Sequence, residues 1–203
     1  ASAGIGAAMA RELARPGAKL ILTGRRVERL DALAGELANR GIEVRVVVAD
    51  LNDPTAPQLI YDATEGAGIT VDILINNAGL AKGVDAFQEA NTDDWDAMID
   101  TNVKGLLYVT RALLPGMIQR GAGHIVNLGS VAGHWVYPKG NVYCDTKFAF
   151  QSRSVVGRRE GYGSGIRVTE ISPGLVETDF SRLRLGDEAK AKALAAKPGV
   201  VKD

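Results

Sequence analysis

Residues 71–79 read VDILINNAG, and the way this stretch is built decides the fold. Val71, Ile73, Leu74 and Ile75 form an apolar run broken only by Asp72, and the run stops abruptly at Asn76-Asn77-Ala78-Gly79. It is too short for a buried helix, rich in β-branched residues and nearly continuous, which suits a strand covered on both faces. Four further runs share that character: AKLILTG (18–24), IEVRVVVAD (42–50), GHIVNLGS (123–130) and IRVTEISPG (166–174). Between them lie helical stretches at about 5–15, 26–40, 55–66, 93–120 and 142–160. Alternating strands and helices specify an α/β fold, a Rossmann-type doubly wound parallel sheet with helices on both faces.

In such sheets ligands bind beyond the carboxyl ends of the strands. The unusual residues of this chain collect there: Gly24-Arg25-Arg26, Asp50, Asn76 to Gly79, Gly129-Ser130 and Pro173-Gly174. The opening ASAGIGAAMARELA carries Gly4-Ile5-Gly6 straight into a helix. Glycines at such a turn let backbone N–H groups approach a phosphate, and the helix N-terminus adds a favourable dipole. A dinucleotide turn is normally fed by a strand. We therefore expect a first strand, ending in another glycine, ahead of residue 1.

The composition narrows the function classes. Lys plus Arg and Asp plus Glu are balanced at 24 each, which gives no electrostatic case for nucleic acid or an anionic membrane. Cys144 is the single cysteine, so no intrachain disulfide forms, and a reducing cytoplasmic setting fits. His124 and His134 have no clustered ligands, so no metal is expected. No apolar run is long enough to span a bilayer, and the 203 residues read as one domain, 1–203, without repeats or a linker.

In NVYCDTK (141–147), Tyr143 and Lys147 stand four residues apart and share a helix face. A free tyrosine has a pKa of about 10. A cation about 4 Å away, at an effective dielectric of about 20, contributes roughly 4 kcal/mol toward phenolate. A solvated tyrosine–lysine pair on a surface helix is the plainer alternative.

Taken together, these residues resemble the short-chain dehydrogenase/reductase family. ASAGIG looks like the end of its TGxxxGxG turn, NNAG its central motif and NVYCDTK its YxxxK. Ser130 precedes Tyr143 by thirteen residues, Asn102 in TNVKG matches the family's helix asparagine, and SPGLVETDF its nicotinamide-side loop. The resemblance implies that Tyr143 is general acid/base and that Lys147 lowers its pKa and holds the nicotinamide ribose. It also implies that Ser130 bonds the substrate oxygen and that Asn102 positions a relay water. Ser2, Gly4, Ile5 and Gly6 would line the phosphate turn, Asp50 and Leu51 the adenine, and Asn77, Ala78 and Gly79 the ribose. Pro173, Gly174, Val176 and Thr178 would meet the nicotinamide side.

Arg25 and Arg26 stand where an NAD enzyme commonly carries a carboxylate, and guanidinium suits a 2′-phosphate, so NADP(H) is the expected cofactor. Within the family, NLGSVAGHWVYPKGNVY and SRLRLGDEAKA look most like the NADP-dependent 3-hydroxy acid dehydrogenases. That likeness implies serine, allo-threonine and similar small molecules as substrates. Asn141, Lys139 and Arg184 are candidates to meet a substrate carboxylate. Two alternatives stay open: the same machinery on another carbonyl, such as a 3-oxoacyl thioester or ketone, and a non-catalytic NADP-binding module. A serine hydrolase is disfavoured, because Leu128 stands where a GxSxG elbow needs glycine.

Elsewhere, TDDWD (92–96) reads as a helix start capped by Thr92, with Trp95, Met98 and Ile99 in the core. Asp145 within the YxxxK is a carboxylate that could compete for Lys147. In QSRSVVGRREGYGSG (151–165), Arg153, Gly157 and Gly161 break the apolar phase of the preceding helix, each interior glycine costing about 1 kcal/mol relative to alanine. The resemblance implies a homodimer or homotetramer built on two long helices, which this stretch would weaken. The family's final helix and strand are also missing after residue 203, so the domain reads as truncated at both ends.

Overall fold

The computed structural model describes residues 1–161, 163–196 and 201. Five strands alternate with helices: α1 (Gly4–Leu13), β1 (Lys19–Gly24), α2 (Val27–Ala38), β2 (Glu43–Val48), α3 (Ala56–Asp62), β3 (Ile73–Asn76), α4 (Thr92–Ile99), α5 (Leu106–Arg120), β4 (Gly123–Leu128), α6 (Asn141–Glu160), β5 (Ile166–Ile171), α7 (Asp179–Leu185) and α8 (Glu188–Ala195). Every strand pairing is parallel. β1 runs beside β2 from Lys19↔Glu43 to Gly24↔Val48. β4 lies between β3 and β5, with His124 opposite both Ile73 and Arg167. The strands thus form a two-stranded and a three-stranded sheet. Among the described residues β1 and β3 share no ladder.

Both sheets feed one core. Val47 and Ala49 from the first pack with Val71, Ile125, Ile166 and Val168 around the second, under Val109, Leu113 and Met117 of α5. A second cluster seats α1 and α2 on β1, through Ala7, Ala10, Leu30, Leu33 and Leu37 against Leu22. Those leucines recur every three to four residues, which is the stripe an amphipathic helix buries. The architecture is the Rossmann-type α/β fold.

A buried polar chain fixes how the central elements sit. The Asn76 side-chain amide donates to Thr110 Oγ1 (3.0 Å) and Asn127 Oδ1 (2.9 Å), Asn127 Nδ2 donates to Ser154 Oγ (2.9 Å), and Ser154 Oγ donates to the Phe150 carbonyl (2.8 Å). Four elements, β3, α5, β4 and α6, are thereby locked near the strand ends where the candidate site lies.

Several local expectations are corrected. The single helix expected over 93–120 is α4 and α5 joined by a π-helical stretch, Asp100–Gly105. The helix over 55–66 stops at Asp62 and resumes as a 3₁₀ turn at Glu65–Ala67. Asn91, not Thr92, caps α4, its Oδ1 accepting from the Asp93 N–H at 2.9 Å. Met98 is core, but Ile99 is exposed and Trp95 is half-buried against Phe87. Helix α6 does not lose its way at Arg153 and Gly157. It continues to Glu160, because a Cβ at Gly157 would press to 3.3 Å from Val168, so the missing side chain lets α6 lie close on β5. Gly161 is the residue that follows the helix. Among the described residues no helix is long and apolar enough to cross a membrane.

Candidate functional site

Helix α6 starts at Asn141, so Tyr143 and Lys147 fall one turn apart on its buried face, 7% and 6% exposed. The turn before it is strained: Lys139 and Asn141 both adopt left-handed φ, 65° and 48°, a region few non-glycine residues occupy outside constrained sites. β4 ends at Leu128 and releases Ser130 opposite the tyrosine. The Ala132 N–H donates to Ser130 Oγ at 3.1 Å, and the serine hydroxyl lies close enough to the Tyr143 phenol to pull its pKa down.

Burial pushes the Tyr143 phenol above its ordinary pKa, while the Ser130 hydrogen bond and the Arg184 guanidinium pull it back down. Lys147 is anchored to the end of β4. Its ammonium donates to the Leu128 carbonyl at 2.9 Å and lies 4.3 Å from the Phe150 ring centroid, but 5.9 Å from that of Tyr143. Burial lowers its pKa to about 8, against the pull of the Glu170 carboxylate. The Arg184 guanidinium also lies near the phenol, its Cζ 5.1 Å from the ring centroid. Asp145 points outward, exposed, and does not compete for the lysine.

Asn102 lies fully buried in the π-helical stretch. Its Oδ1 accepts from the Leu80 N–H (2.8 Å), and its Nδ2 donates to the Leu80 carbonyl (2.8 Å) and to Thr146 Oγ1 (3.0 Å). The side chain is thus fixed on both its oxygen and its nitrogen by protein groups. Thr146, between Tyr143 and Lys147, is a positioning residue the sequence did not disclose. Its hydroxyl also donates to the Tyr143 carbonyl at 2.8 Å.

The residues that could hold a dinucleotide gather along the same edge. Gly4, Ile5 and Gly6 open α1, where a Cβ on Gly6 would stand 2.6 Å from the Asn77 amide nitrogen and one on Gly4 3.0 Å from Thr178. The turn therefore touches both the segment after β3, which carries Asn77, Ala78 and Gly79, and the loop after β5, which carries Pro173, Gly174, Val176 and Thr178. Arg26 donates twice to Ser2 Oγ, at 3.0 and 3.2 Å, and Arg25 lies 3.6 Å from Asp50 beyond the end of β2. Leu51 packs under Gly105. An unforeseen carboxylate, Asp179 at the start of α7, pairs with Arg29 at 2.7 Å and Arg26 at 3.8 Å. This set of glycine turn, helix N-terminus and clustered guanidiniums fits the phosphates of a dinucleotide.

On the substrate side, Asn141 turns its Oδ1 to the Val142 N–H (2.9 Å) and Lys139 is exposed. Arg184 is brought over Tyr143, its Cζ 5.1 Å from the ring centroid. His134 is an exposed loop residue bonded to Ser172 at 2.9 Å.

The chain matches the family model for short chain dehydrogenase over residues 1–188. It is 44% identical over 194 residues to the NADP-dependent 3-hydroxy acid dehydrogenase YdfG of Escherichia coli (strain K12), covering 95% of this chain and 77% of that protein. It is 47% identical over 196 residues to sulfoacetaldehyde reductase 2 of Chromohalobacter salexigens, covering 96% and 77%. Among solved structures, the closed form of serine dehydrogenase complexed with NADP+ superposes with a TM-score of 0.92 at 42% identity, covering 99% of this chain and 81% of that one. The motifs at the strand ends, the geometry they create and these matches agree, and the chain belongs to the short chain dehydrogenase family.

Proposed function

We propose that this protein is an NADP-dependent oxidoreductase that interconverts the hydroxyl of a short 3-hydroxy acid, such as serine or allo-threonine, and the matching carbonyl. The observation that carries the reading is the pairing of the buried Tyr143 phenol with Ser130, one helical turn from the buried Lys147. When bound, NADP supplies a hydride acceptor at its nicotinamide, which no side chain can provide.

Everything else is done by this chain. Tyr143 takes the hydroxyl proton of the substrate and returns it in reverse, and Ser130 hydrogen-bonds the same oxygen as charge builds there. Lys147 supplies positive charge at the floor of the site and is within reach of the ribose side through Gly79, whose added Cβ would lie 3.6 Å from its Nζ. Asn102 keeps Leu80 and Thr146 in register, which holds the segment after β3 against α6. Arg25 and Arg26 would take the 2′-phosphate, and Ser2, Gly4, Ile5 and Gly6 the diphosphate. Asp50 and Leu51, Asn77 to Gly79, and the loop carrying Pro173, Gly174, Val176 and Thr178 would line the remainder.

The relatives named above support both a hydroxy carboxylate and a short sulfonated aldehyde as substrate. Both place an oxyanion one carbon beyond the reacting carbon, so the same site could serve either. The deciding experiment follows nicotinamide reduction by absorbance with L-serine, L-allo-threonine and 3-hydroxypropionate, under NADP and NAD in turn. NADP-dependent turnover is expected. NADPH binding without turnover of any of them would overturn the substrate assignment, and would favour another carbonyl or a cofactor-binding module.

We further propose a cytoplasmic homo-oligomer. The groove between α5 and α6, lined by Val103, Leu106, Leu107, Phe150, Arg153 and Val156, supports a second copy as occupant. Sedimentation would test this directly, a monomer at micromolar concentration refuting it.

A further inference from the structure

We propose that Asp179, at the start of α7, tunes the choice of cofactor: its carboxylate occupies the guanidiniums of Arg26 and Arg29, so that Asp179 and a 2′-phosphate compete for them. The proposal rests on the NADP reading and adds to it a residue from the other side of the site. It starts from GRRVERL (24–30). Arg26 and Arg29 are three apart where α2 begins, so their side chains are neighbours on one face. The Arg26 guanidinium is held below its ordinary pKa, first by burial and then by the like charge of Arg29. A carboxylate 150 residues from Arg29 answers this crowding. Asp179 Oδ2 lies 2.7 Å from Arg29 and 3.8 Å from Arg26, and its Oδ1 lies 3.4 Å from Arg182.

The surroundings have the chemistry of a phosphate site. Arg26 feels the guanidiniums of Arg25, Arg29 and Arg182 against the carboxylate of Asp179. That surplus of positive charge suits a phosphate monoester, which carries about two negative charges. The side chains of Asp179, Arg26 and Arg29 are 33%, 40% and 47% exposed, so an incoming phosphate can reach the guanidiniums and take them over. Asp179 also joins the two halves of the site. Its neighbour Thr178 stands against the glycine turn, 3.0 Å from a Cβ added at Gly4. Phe180, on the other side, has its ring centroid 5.8 Å from that of Tyr143. A 2′-phosphate that displaces the carboxylate therefore frees the start of α7 from α2. NAD, whose ribose carries a hydroxyl there, leaves the ion pairs in place.

An exposed ion pair weighs about 1.5- to 5-fold in an equilibrium, and a phosphate that engages both arginines must break two. Fluorescence titration of NADPH and NADH into the wild type and Asp179→Asn reads that penalty, since asparagine keeps the side chain's size and removes its charge. The variant is expected to bind NADPH about 3- to 10-fold tighter and NADH within about twofold of wild type. Hydrogen exchange of residues 177–186 gives a second readout. In the wild type it should be faster with saturating NADP than with saturating NAD, and in Asp179→Asn the same with both. Unchanged or weaker NADPH binding in the variant would overturn the proposal, as would equal exchange with the two cofactors in the wild type. An equal gain for both cofactors would also overturn it, because Asp179 would then repel only the diphosphate they share. The NADP reading is judged separately. A wild type that binds NADPH no better than NADH refutes that reading. The role of Asp179 then stands if Asp179→Asn acquires the preference, and falls if it does not.

Discussion

Replacing Lys147 with methionine should stabilise the cofactor-free protein while removing its activity. Lys147 is buried and its pKa falls from 10.5 to about 8, first through loss of hydration. At about 1.4 kcal/mol per pH unit, that depression is a burial cost of about 3 kcal/mol. Methionine has a similar length, carries no charge and makes favourable contacts with an aromatic ring such as Phe150, which lies 4.3 Å from the ammonium. The substitution also strips the Leu128 carbonyl of its donor, worth about 1 kcal/mol. The net gain is about 2 kcal/mol at pH 7, or about 4–8 °C in Tm for a chain of this size.

The pH dependence gives the sharper check. Below about pH 8 the lysine is protonated in both folded and unfolded chains, and the full penalty is present. Between about 8 and 10.5 the unfolded chain binds more protons, so wild-type stability rises relative to Lys147→Met, and above that window the penalty is gone. Urea unfolding of both proteins at pH 7 and pH 10, compared as a difference, isolates this one group. A variant that is less stable than wild type at pH 7, or a difference that does not change with pH, would refute the reasoning.

Tyr143→Phe should keep NADPH affinity within about twofold and lower turnover by about 100- to 10,000-fold, the usual contribution of a placed acid or base. Substantial residual turnover would take Tyr143 out of the mechanism. Arg25→Ala should weaken NADPH by about 10- to 100-fold and leave NADH nearly unchanged, measured by cofactor fluorescence, and equal losses would exclude a 2′-phosphate contact. Its pairing with Asp50 at 3.6 Å is exposed, so unfolding stability should move by less than about 0.5 kcal/mol. Asn127→Leu leaves one Asn76 N–H without an acceptor inside the core and should cost about 2–3 kcal/mol in urea unfolding. A loss under about 0.5 kcal/mol would mean that the chain from Asn76 to Ser154 does not lock the sheet.

The strands were legible because a both-sides-covered parallel strand must be a continuous apolar run, and five such runs end in residues that make poor core. The YxxxK pair was legible because helical spacing is short-range geometry. What the ammonium of Lys147 does was not: the carbonyl of Leu128, nineteen residues away, captures it, and only the fold brings the two together. The same holds for Asp179 and Arg29, which lie 150 residues apart. Gly157 misled for a different reason. Glycine lowers helix propensity, but here a Cβ would crowd Val168 on the neighbouring strand at 3.3 Å, and the helix runs on to Glu160 despite the local cost. Choosing Thr92 over Asn91 as a cap failed because both side chains can accept a backbone N–H, and Asn91 has the extended backbone and the bond. The π-helical stretch leaves no mark on composition, because it shifts hydrogen-bond partners and not residue types.

Asn102 sits where these themes meet. A fully buried carboxamide is costly unless its donors and acceptor find partners, and here the oxygen and both donors are accounted for by Leu80 and Thr146. Leu80 directly follows the NNAG segment, and Thr146 lies between Tyr143 and Lys147. One side chain therefore ties the segment after β3 to the helix that carries the reactive pair, from a backbone stretch whose altered winding sets where it points. Because α6 also rests on the buried chain from Asn76 through Asn127 to Ser154, the tyrosine is held from two directions by hydrogen bonds rather than by apolar contact alone. Apolar contacts are tolerant of small shifts, whereas a hydrogen bond weakens steeply once its angle is lost. A proton-transferring group, which must meet its partner at about 3 Å, is best fixed by that kind of restraint.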